Sequence, residues 1–328
     1  MKPESHSPLA PGTRRLSRRS MLKGTAAVAT AALVPWSPRV NAAGAIDVGA
    51  PAVTRGRIKQ SIVQWCFEAF GGKWTVEQTA QVAKGFGCQS VELVGPEHFA
   101  TLKKYGLTCA IAQIDLNPDP PFLKGFNNPA NWPRVMKATR DAIDAAAAFG
   151  APSVICFTGY SAKDPANPKS AHISRERGAA NCVEGFKKIV GHAEQKGVTL
   201  CLEMLNSRES SHPMKGHPGY QGDHTDYCID IIKRVGSPRL KLLFDVYHVQ
   251  IMDGDVIKRL REYKEYIGHV HTAGNPGRGE LDDKQEINYR GVMAALLETG
   301  YTGFVGQEFI PTRDPLQGLR EAITQCDA

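Results

Sequence analysis

Four polar residues interrupt apolar runs in the second half of the chain, in the order Glu, Asp, His, Glu. Glu203 stands in Leu200-Cys201-Leu202-Glu203-Met204, and Asp245 in Leu243-Phe244-Asp245-Val246-Tyr247-His248. His271 closes His269-Val270-His271, and Glu308 falls in Gly306-Gln307-Glu308-Phe309. A carboxylate buried among such neighbours without a partner costs several kcal/mol, so each calls for a cation. Three carboxylates and an imidazole make a shell for a hard or borderline divalent ion such as Mn²⁺, Mg²⁺ or Co²⁺. An ion held there polarises a carbonyl and its neighbouring hydroxyl, acidifies the C–H between them and stabilises an enediolate. Singly, each residue has a plainer use: Asp245 as a cap for the following loop, His271 as a core histidine. The specific signal is the order of all four. His269, two residues from His271, shares its face one layer deeper and is expected to support it or pack below.

Such a site needs a frame that brings four strand ends together. Short apolar, β-branched runs alternate with amphipathic stretches along the chain, the pattern of βα units around a parallel sheet. Eight strands are expected, at 58–66, 90–94, 107–114, 153–157, 198–204, 240–246, 267–272 and 303–309, with strong helices at 132–149 and 175–195. Gly87, Gly106, Gly150, Gly197 and Gly300 each follow a helix and precede a strand, where a helix C-cap belongs. Eight units favour closure into an α/β domain of (β/α)8 barrel form over 58–328, whose chemistry sits at the C-terminal strand ends. No GxGxxG follows the first strand to suggest a dinucleotide site.

The start of the chain has a different character. Ser17-Arg18-Arg19-Ser20-Met21-Leu22-Lys23 precedes a Gly/Ala/Val-rich run from Gly24 to Val34 and then Val40-Asn41-Ala42. This reads as a twin-arginine export signal over residues 1–42, cleaved near Ala42, with residues 43–57 as an N-terminal arm. The apolar run is about half the ~20 residues of a spanning helix, so no stable membrane anchor is expected and the destination is periplasmic or secreted. Residues 1–42 hold seven Lys/Arg and one acidic residue, +6 of the chain's net +7, leaving +1 for the rest. A nucleic-acid partner, which needs a basic face, is therefore disfavoured. Of the eight cysteines, Cys109, Cys156 and Cys201 lie in apolar runs and no pair has CxxC spacing, so buried free thiols are expected. Twin-arginine export moves folded proteins, which lets such thiols and any metal be assembled in a reducing compartment.

Several segments together carry a resemblance. Leu202-Glu203-Met204-Leu205-Asn206, Leu243-Phe244-Asp245-Val246-Tyr247-His248, Ile267-Gly268-His269-Val270-His271, Pro276-Gly277-Arg278, Glu286-Ile287-Asn288-Tyr289 and Gly300-Tyr301 follow one another in the order of the hydroxypyruvate isomerase family. The chain resembles that family, within the xylose-isomerase-like TIM barrels that also contain ketose 3-epimerases and endonuclease IV. The resemblance implies metal binding by Glu203, Asp245, His271 and Glu308, the two glutamates as acid and base, and conversion of hydroxypyruvate to tartronate semialdehyde. These isomerases usually carry glutamine at the position of His271, whereas the 3-epimerases carry histidine.

On this reading His248 binds or polarises a substrate oxygen, and Arg278 pairs a substrate carboxylate by bidentate hydrogen bonds. Glu209, His224, Glu286 and Glu92 are weaker candidates near strand ends or mouth loops, Glu209 being taken as a substrate contact. Trp65 and Phe67 stack on a sugar or fill the mouth, and Gly216-His217-Pro218-Gly219 has the length and composition of a lid. The partner expected is a small hydroxy-keto acid or sugar, with a homo-oligomer left open. The competing activities are ketose 3-epimerisation or oxidised-sugar processing on the same site, and the non-enzymatic alternative is an exported sugar- or acid-binding barrel. An endonuclease-IV-like repair role is disfavoured by the small remaining charge, by export and by too few histidines for a trinuclear zinc cluster.

Overall fold

Strands covered by helices on one side and packed side chains on the other have no polar face, and the sheet here is built that way. Every residue of β3 (Ser153–Phe157) is buried, as are all but the first of β4 (Thr199–Glu203) and all but Lys241 of β5 (Leu240–Asp245). The computed structural model describes residues 46–167 and 169–328. The expected export signal and the first three residues of the arm lie outside the described residues.

With β1 (Lys59–Val63), β2 (Ser90–Glu92), β6 (Ile267–Thr272) and β7 (Phe304–Gln307), seven parallel strands run in the order β2-β1-β7-β6-β5-β4-β3. The segment expected as a regular strand at 107–114 is not one. It touches both sheet edges through isolated parallel bridges, Ser90 with Thr108 and Ala112 with Val154. Between them the Ala110 amide donates to the Ser90 hydroxyl at 2.8 Å instead of to a strand carbonyl, which interrupts the ladder. The segment is still a stave of the barrel, the third in chain order, because it joins β2 to β3.

Around the sheet run α1 (Gln64–Ala69), α2 (Val76–Phe86), α3 (Phe99–Lys104), α4 (Trp132–Phe149), α5 (Arg175–Lys196), α6 (Thr225–Val235), α7 (Val246–Met252), α8 (Val256–Glu262), α9 (Tyr289–Glu298) and α10 (Pro315–Cys326). The expected helices at 132–149 and 175–195 are α4 and α5. The first strand is shorter than expected, since the chain turns helical at Gln64, whose side-chain amide donates to the Trp74 carbonyl at 3.0 Å. All five expected cap glycines have positive φ, between 69° and 87°, and Gly236 (φ 77°) adds a sixth between α6 and β5.

One irregularity positions the site. The β5–β6 register shifts between Leu242 and Leu243, so that Asp245 pairs with His271. Continued from Leu242–Ile267 without the shift, the ladder would put Asp245 opposite Val270, whose side chain points to the other face. Gly268 sits at the shift, where a Cβ would lie 2.7 Å from the Lys241 Cβ and 2.9 Å from the Cys201 sulfur.

The described part of the arm is pinned at two places. The Ala52 and Val53 amides donate to the Phe86 carbonyl, and the Asp327 carboxylate accepts from the amides of Thr54, Arg55 and Gly56. All eight cysteines are buried and unpaired. Among the described residues, no helix is long and apolar enough to cross a membrane.

Candidate active site

Glu203 ends β4, Asp245 ends β5, His271 is the fifth residue of β6 and Glu308 follows β7 directly. All four are buried, and one ligand atom from each lies within 4.8 Å of the others. The four residues singled out in the sequence are thus brought together at the C-terminal end of the barrel.

Each is held from behind. Asp245 serves both readings at once: Oδ1 caps α7, accepting from the Tyr247 amide at 2.8 Å and the His248 amide at 3.3 Å, while Oδ2 faces the site. Glu308 accepts from the Trp65 indole N–H at 2.9 Å. His271 Nε2 lies 2.7 Å from Glu92 Oε1, which also meets His269 Nε2 at 2.9 Å. That leaves His271 Nδ1 facing Glu308 Oε2 at 2.9 Å and Glu203 Oε1 at 3.7 Å. The Glu203 contact is too long for a hydrogen bond and the Glu308 contact is misdirected for one, so His271 Nδ1 and Glu203 Oε1 are both buried without a hydrogen bond. Orphaned atoms of this kind, in an oxygen-rich set with one imidazole, fit a divalent cation.

Arg278 supplies the positive charge now present. Its Nη2 lies 2.5 Å from Glu308 Oε2 and 3.4 Å from Asp245 Oδ2, and its Nη1 donates to the Met214 carbonyl at 2.6 Å. The guanidinium is buried over the rings of Trp65 and Tyr247, at 5.2 and 5.7 Å from their centroids, and the residue holds φ at 57°. It is not a solvated loop arginine, and here its partners are the site's own carboxylates.

Burial and these charges separate the two glutamates. Burial holds the Glu203 carboxyl above its ordinary range, aided by the charge of Glu308. Burial would raise Glu308 too, but Arg278 and then His271 bring it well below. Asp245 is pushed up by burial to about 7. Burial alone would lower His271, yet the charge of Glu308 and the carboxylates of Glu203 and Glu92 around the ring hold it well above the usual histidine range. Glu92, for which burial is likewise unfavourable, is brought down to about 2 by His269 and His271.

The other expected contacts are scattered. His248 is fully buried and does not line the cavity: its Nδ1 accepts from the Asn206 amide at 3.1 Å, and its Nε2, without a hydrogen bond, lies 3.5 Å from Asp245 Oδ2 at the edge of the site. Glu209 turns away: its carboxylate accepts from the Ser211 amide at 2.6 Å. His224 pairs with Asp253 at 2.6 Å, and Glu286 is exposed, accepting from Asn275 at 2.6 Å. Phe67 is filling, stacked on Trp74, whereas Trp65 lines the mouth.

Above the four donors opens a cavity of about 360 Å³, with Glu203, Glu308 and Arg278 at its inner end. Gln113, Phe122 and His217, which also line it, were not read as contacts. The only signals for them were the Pro120-Pro121-Phe122 run after the third stave and the Gly-His-Pro-Gly loop. A shallower groove of about 420 Å³ lies at Asp282, Arg313 and Glu321, but there Arg313 already pairs with both acids.

Residues 81–326 match the xylose isomerase-like TIM barrel family. Residues 15–35 match the twin-arginine translocation pathway signal sequence, which directs export by that route. The chain is 35% identical over 137 residues to a putative hydroxypyruvate isomerase of Homo sapiens, covering 42% of this chain and 47% of the relative. It is 35% identical over 149 residues to a 2-oxo-tetronate isomerase of Cupriavidus necator, covering 45% of this chain and 54% of the relative. The chain thus spans about half the length of the curated relatives it matches. A solved structure of an AP endonuclease, family 2, from Brucella melitensis superposes with a TM-score of 0.68 at 22% identity, covering 80% of this chain and 97% of that one. From the family match over residues 81–326 and this superposition, the chain belongs to the xylose isomerase-like TIM barrel family.

Proposed function

We propose that residues 58–328 are the catalytic domain of an exported, divalent-metal-dependent isomerase acting on a small hydroxy-keto acid or sugar. Residues 1–42 would be its cleaved leader and 43–57 its arm. The observation that carries the reading is the convergence of Glu203, Asp245, His271 and Glu308, with buried atoms left unsatisfied toward their common centre. The similarity to relatives named hydroxypyruvate isomerase and 2-oxo-tetronate isomerase supports the same class of reaction.

These four residues would hold Mn²⁺, Mg²⁺ or Co²⁺, which supplies Lewis acidity toward a carbonyl and its adjacent hydroxyl. Glu203 and Glu308 both line the cavity, so one would take the proton from the hydroxyl-bearing carbon and the other, protonated, would give one to the former carbonyl carbon, while the hydroxyl proton passes to the former carbonyl oxygen. Arg278, at the same end, is placed to offset negative charge on the enediolate or on a substrate carboxylate. Trp65 keeps Glu308 oriented through its indole N–H. Hydroxypyruvate to tartronate semialdehyde is the specific reaction proposed.

A second reading, epimerisation of a ketose or processing of an oxidised sugar, is favoured by the histidine at 271, the residue that the resembling 3-epimerases carry there. Purified protein with Mn²⁺, offered hydroxypyruvate and free ketoses and followed by NMR, separates the two. Tartronate semialdehyde supports the first, and epimers without it support the second. Turnover of neither by metal-loaded protein would overturn the enzymatic reading and leave a sugar- or acid-binding barrel.

A further inference from the structure

The cavity extends well beyond the reacting end. Its 360 Å³ would hold about a dozen waters at roughly 30 Å³ each, and a three-carbon acid fills only the inner part. The wall carried by the loop residues Pro120, Pro121 and Phe122 brings no side-chain hydrogen-bond donor to the cavity. A sugar seated here must turn its C–H face to this wall, because hydroxyls set against it would go unpaired. Beyond the charged inner end, the only cavity side chains with strong polar groups, apart from the Trp65 indole already bonded to Glu308, are Gln113 and His217.

His217 is held there at some cost. It is 2% exposed, and neither ring nitrogen makes a hydrogen bond within the described residues, Nδ1 being fully buried. Its backbone is fixed on both sides, the amide donating to the Asn206 carbonyl at 2.8 Å and the carbonyl accepting from the Tyr220 amide at 2.9 Å. Its ring packs on Phe122 with centroids 4.4 Å apart. The chain reaches this position by passing over the Asn206–Glu209 turn, where a Cβ on Gly216 would lie 2.3 Å from the Glu209 carbonyl oxygen. The loop read as a lid is therefore a fixed part of the wall. Burial, with the charge of Arg278, pushes the imidazole down to about 3, so it is neutral and offers one donor and one acceptor. That pattern suits a hydroxyl, whereas an anionic group is better served by Arg278.

We infer that the outer half of the cavity is a subsite for the part of the substrate remote from the reacting carbons, taking a sugar ring or chain with an apolar face against Phe122 and one hydroxyl on His217. His217 is then a specificity-determining residue that favours substrates longer than three carbons. This rests on the isomerase or epimerase reading for the location of the reacting end.

The test compares Mn²⁺-loaded wild type, His217→Phe and His217→Gln, using hydroxypyruvate as the short probe and D-fructose and D-tagatose as long ones. Calorimetry gives binding, and kcat and KM are measured separately. The expected result is that His217→Phe lowers the ketose-to-hydroxypyruvate ratio of affinities by roughly tenfold to a hundredfold, mainly through the ketose KM, with partial recovery in His217→Gln. Equal changes for short and long probes, or no ketose binding by wild type, would overturn the inference. Ketose binding that depends on His217 without turnover keeps the subsite and sinks the catalytic reading. Hydroxypyruvate turnover beside ketose binding indifferent to His217 does the reverse. Unchanged thermal melting and Mn²⁺ affinity in His217→Gln assign the effect to the cavity, while loss of either there counts against it.

Discussion

Glu92, on β2, and His271, on β6, meet across the barrel interior with Oε1 and Nε2 2.7 Å apart. The contact places the Nε2 proton toward the carboxylate and presents Nδ1 to the four-residue site, as an outer carboxylate does for a metal-bound histidine. Glu92→Gln should weaken Mn²⁺ binding by about 10–100-fold, read by calorimetry or by EPR of free Mn²⁺. Unchanged affinity would mean that Glu92 does not orient the ligand.

Gly306 is the floor under that contact. A Cβ there would lie 2.2 Å from Glu92 Oε1 and 2.9 Å from His271 Cδ2. Gly306→Ala should cost about 1–3 kcal/mol in chemical denaturation and also weaken Mn²⁺ binding. Gly191, in α5 with nothing within 4 Å of an added Cβ, is the control, and its alanine variant should gain about 0.5–1 kcal/mol.

Glu308→Gln keeps an acceptor for Trp65 but removes the charge opposite Arg278 and the basic oxygen beside the substrate. Turnover should fall by about 10²–10⁴-fold while the far-UV CD spectrum is retained. Wild-type turnover in this variant would sink the proposed mechanism.

His217 ties stability to pH. With its pKa pushed down to about 3 in the folded state, against about 6.5 unfolded, the unfolded chain binds a proton that the folded chain refuses. Its contribution is complete above about pH 6.5 and falls by about 1.4 kcal/mol per pH unit below it. Relative to wild type, His217→Phe should therefore gain about 2 kcal/mol between pH 7 and pH 5 in urea unfolding. Parallel pH profiles would show that this imidazole is not buried in neutral form.

Much of the frame was legible because the strands of a covered parallel sheet are nearly continuous apolar runs. β3 and β6 have the expected bounds, and a polar residue in such a run announces itself, as Glu203 and His271 do. The third stave was misread because Ser90 takes over a bond that a strand carbonyl would otherwise accept, a choice made by tertiary contact. The end of β1 was missed for a similar reason: Trp65-Cys66-Phe67 has strand composition, but Gln64 is tied to the Trp74 carbonyl. Arg278 was read as a substrate contact, but its burial was not legible, because that depends on Glu308, thirty residues later. Gln113 stands near the end of the 107–114 stave and was overlooked there as a polar residue in an apolar run, whereas His217 belongs to a loop, and no sequence period marks where a loop lands.

Asp327 shows how the arm is secured to the end of the chain. Its carboxylate accepts from the amides of Thr54, Arg55 and Gly56 at 2.6, 2.7 and 2.8 Å and from the Thr54 hydroxyl at 2.9 Å. Asp327→Ala should lower stability by about 2 kcal/mol in chemical denaturation. The loss should shrink as pH falls through the carboxylate range, because the bonded form is the charged one.

The third stave sets where the barrel yields. Seven staves are strands joined by ladders, whereas 107–114 is fastened to each edge by one bridge and a few amides. Local opening takes the least free energy where backbone bonds are fewest, so the hoop has a soft side between β2 and β3. Leu93 and Gln113 line the cavity on that side, and Leu93 already holds φ at 55°. The four candidate donors lie away from that side, on β4, β5, β6 and the residue after β7, so local opening there would leave them in place.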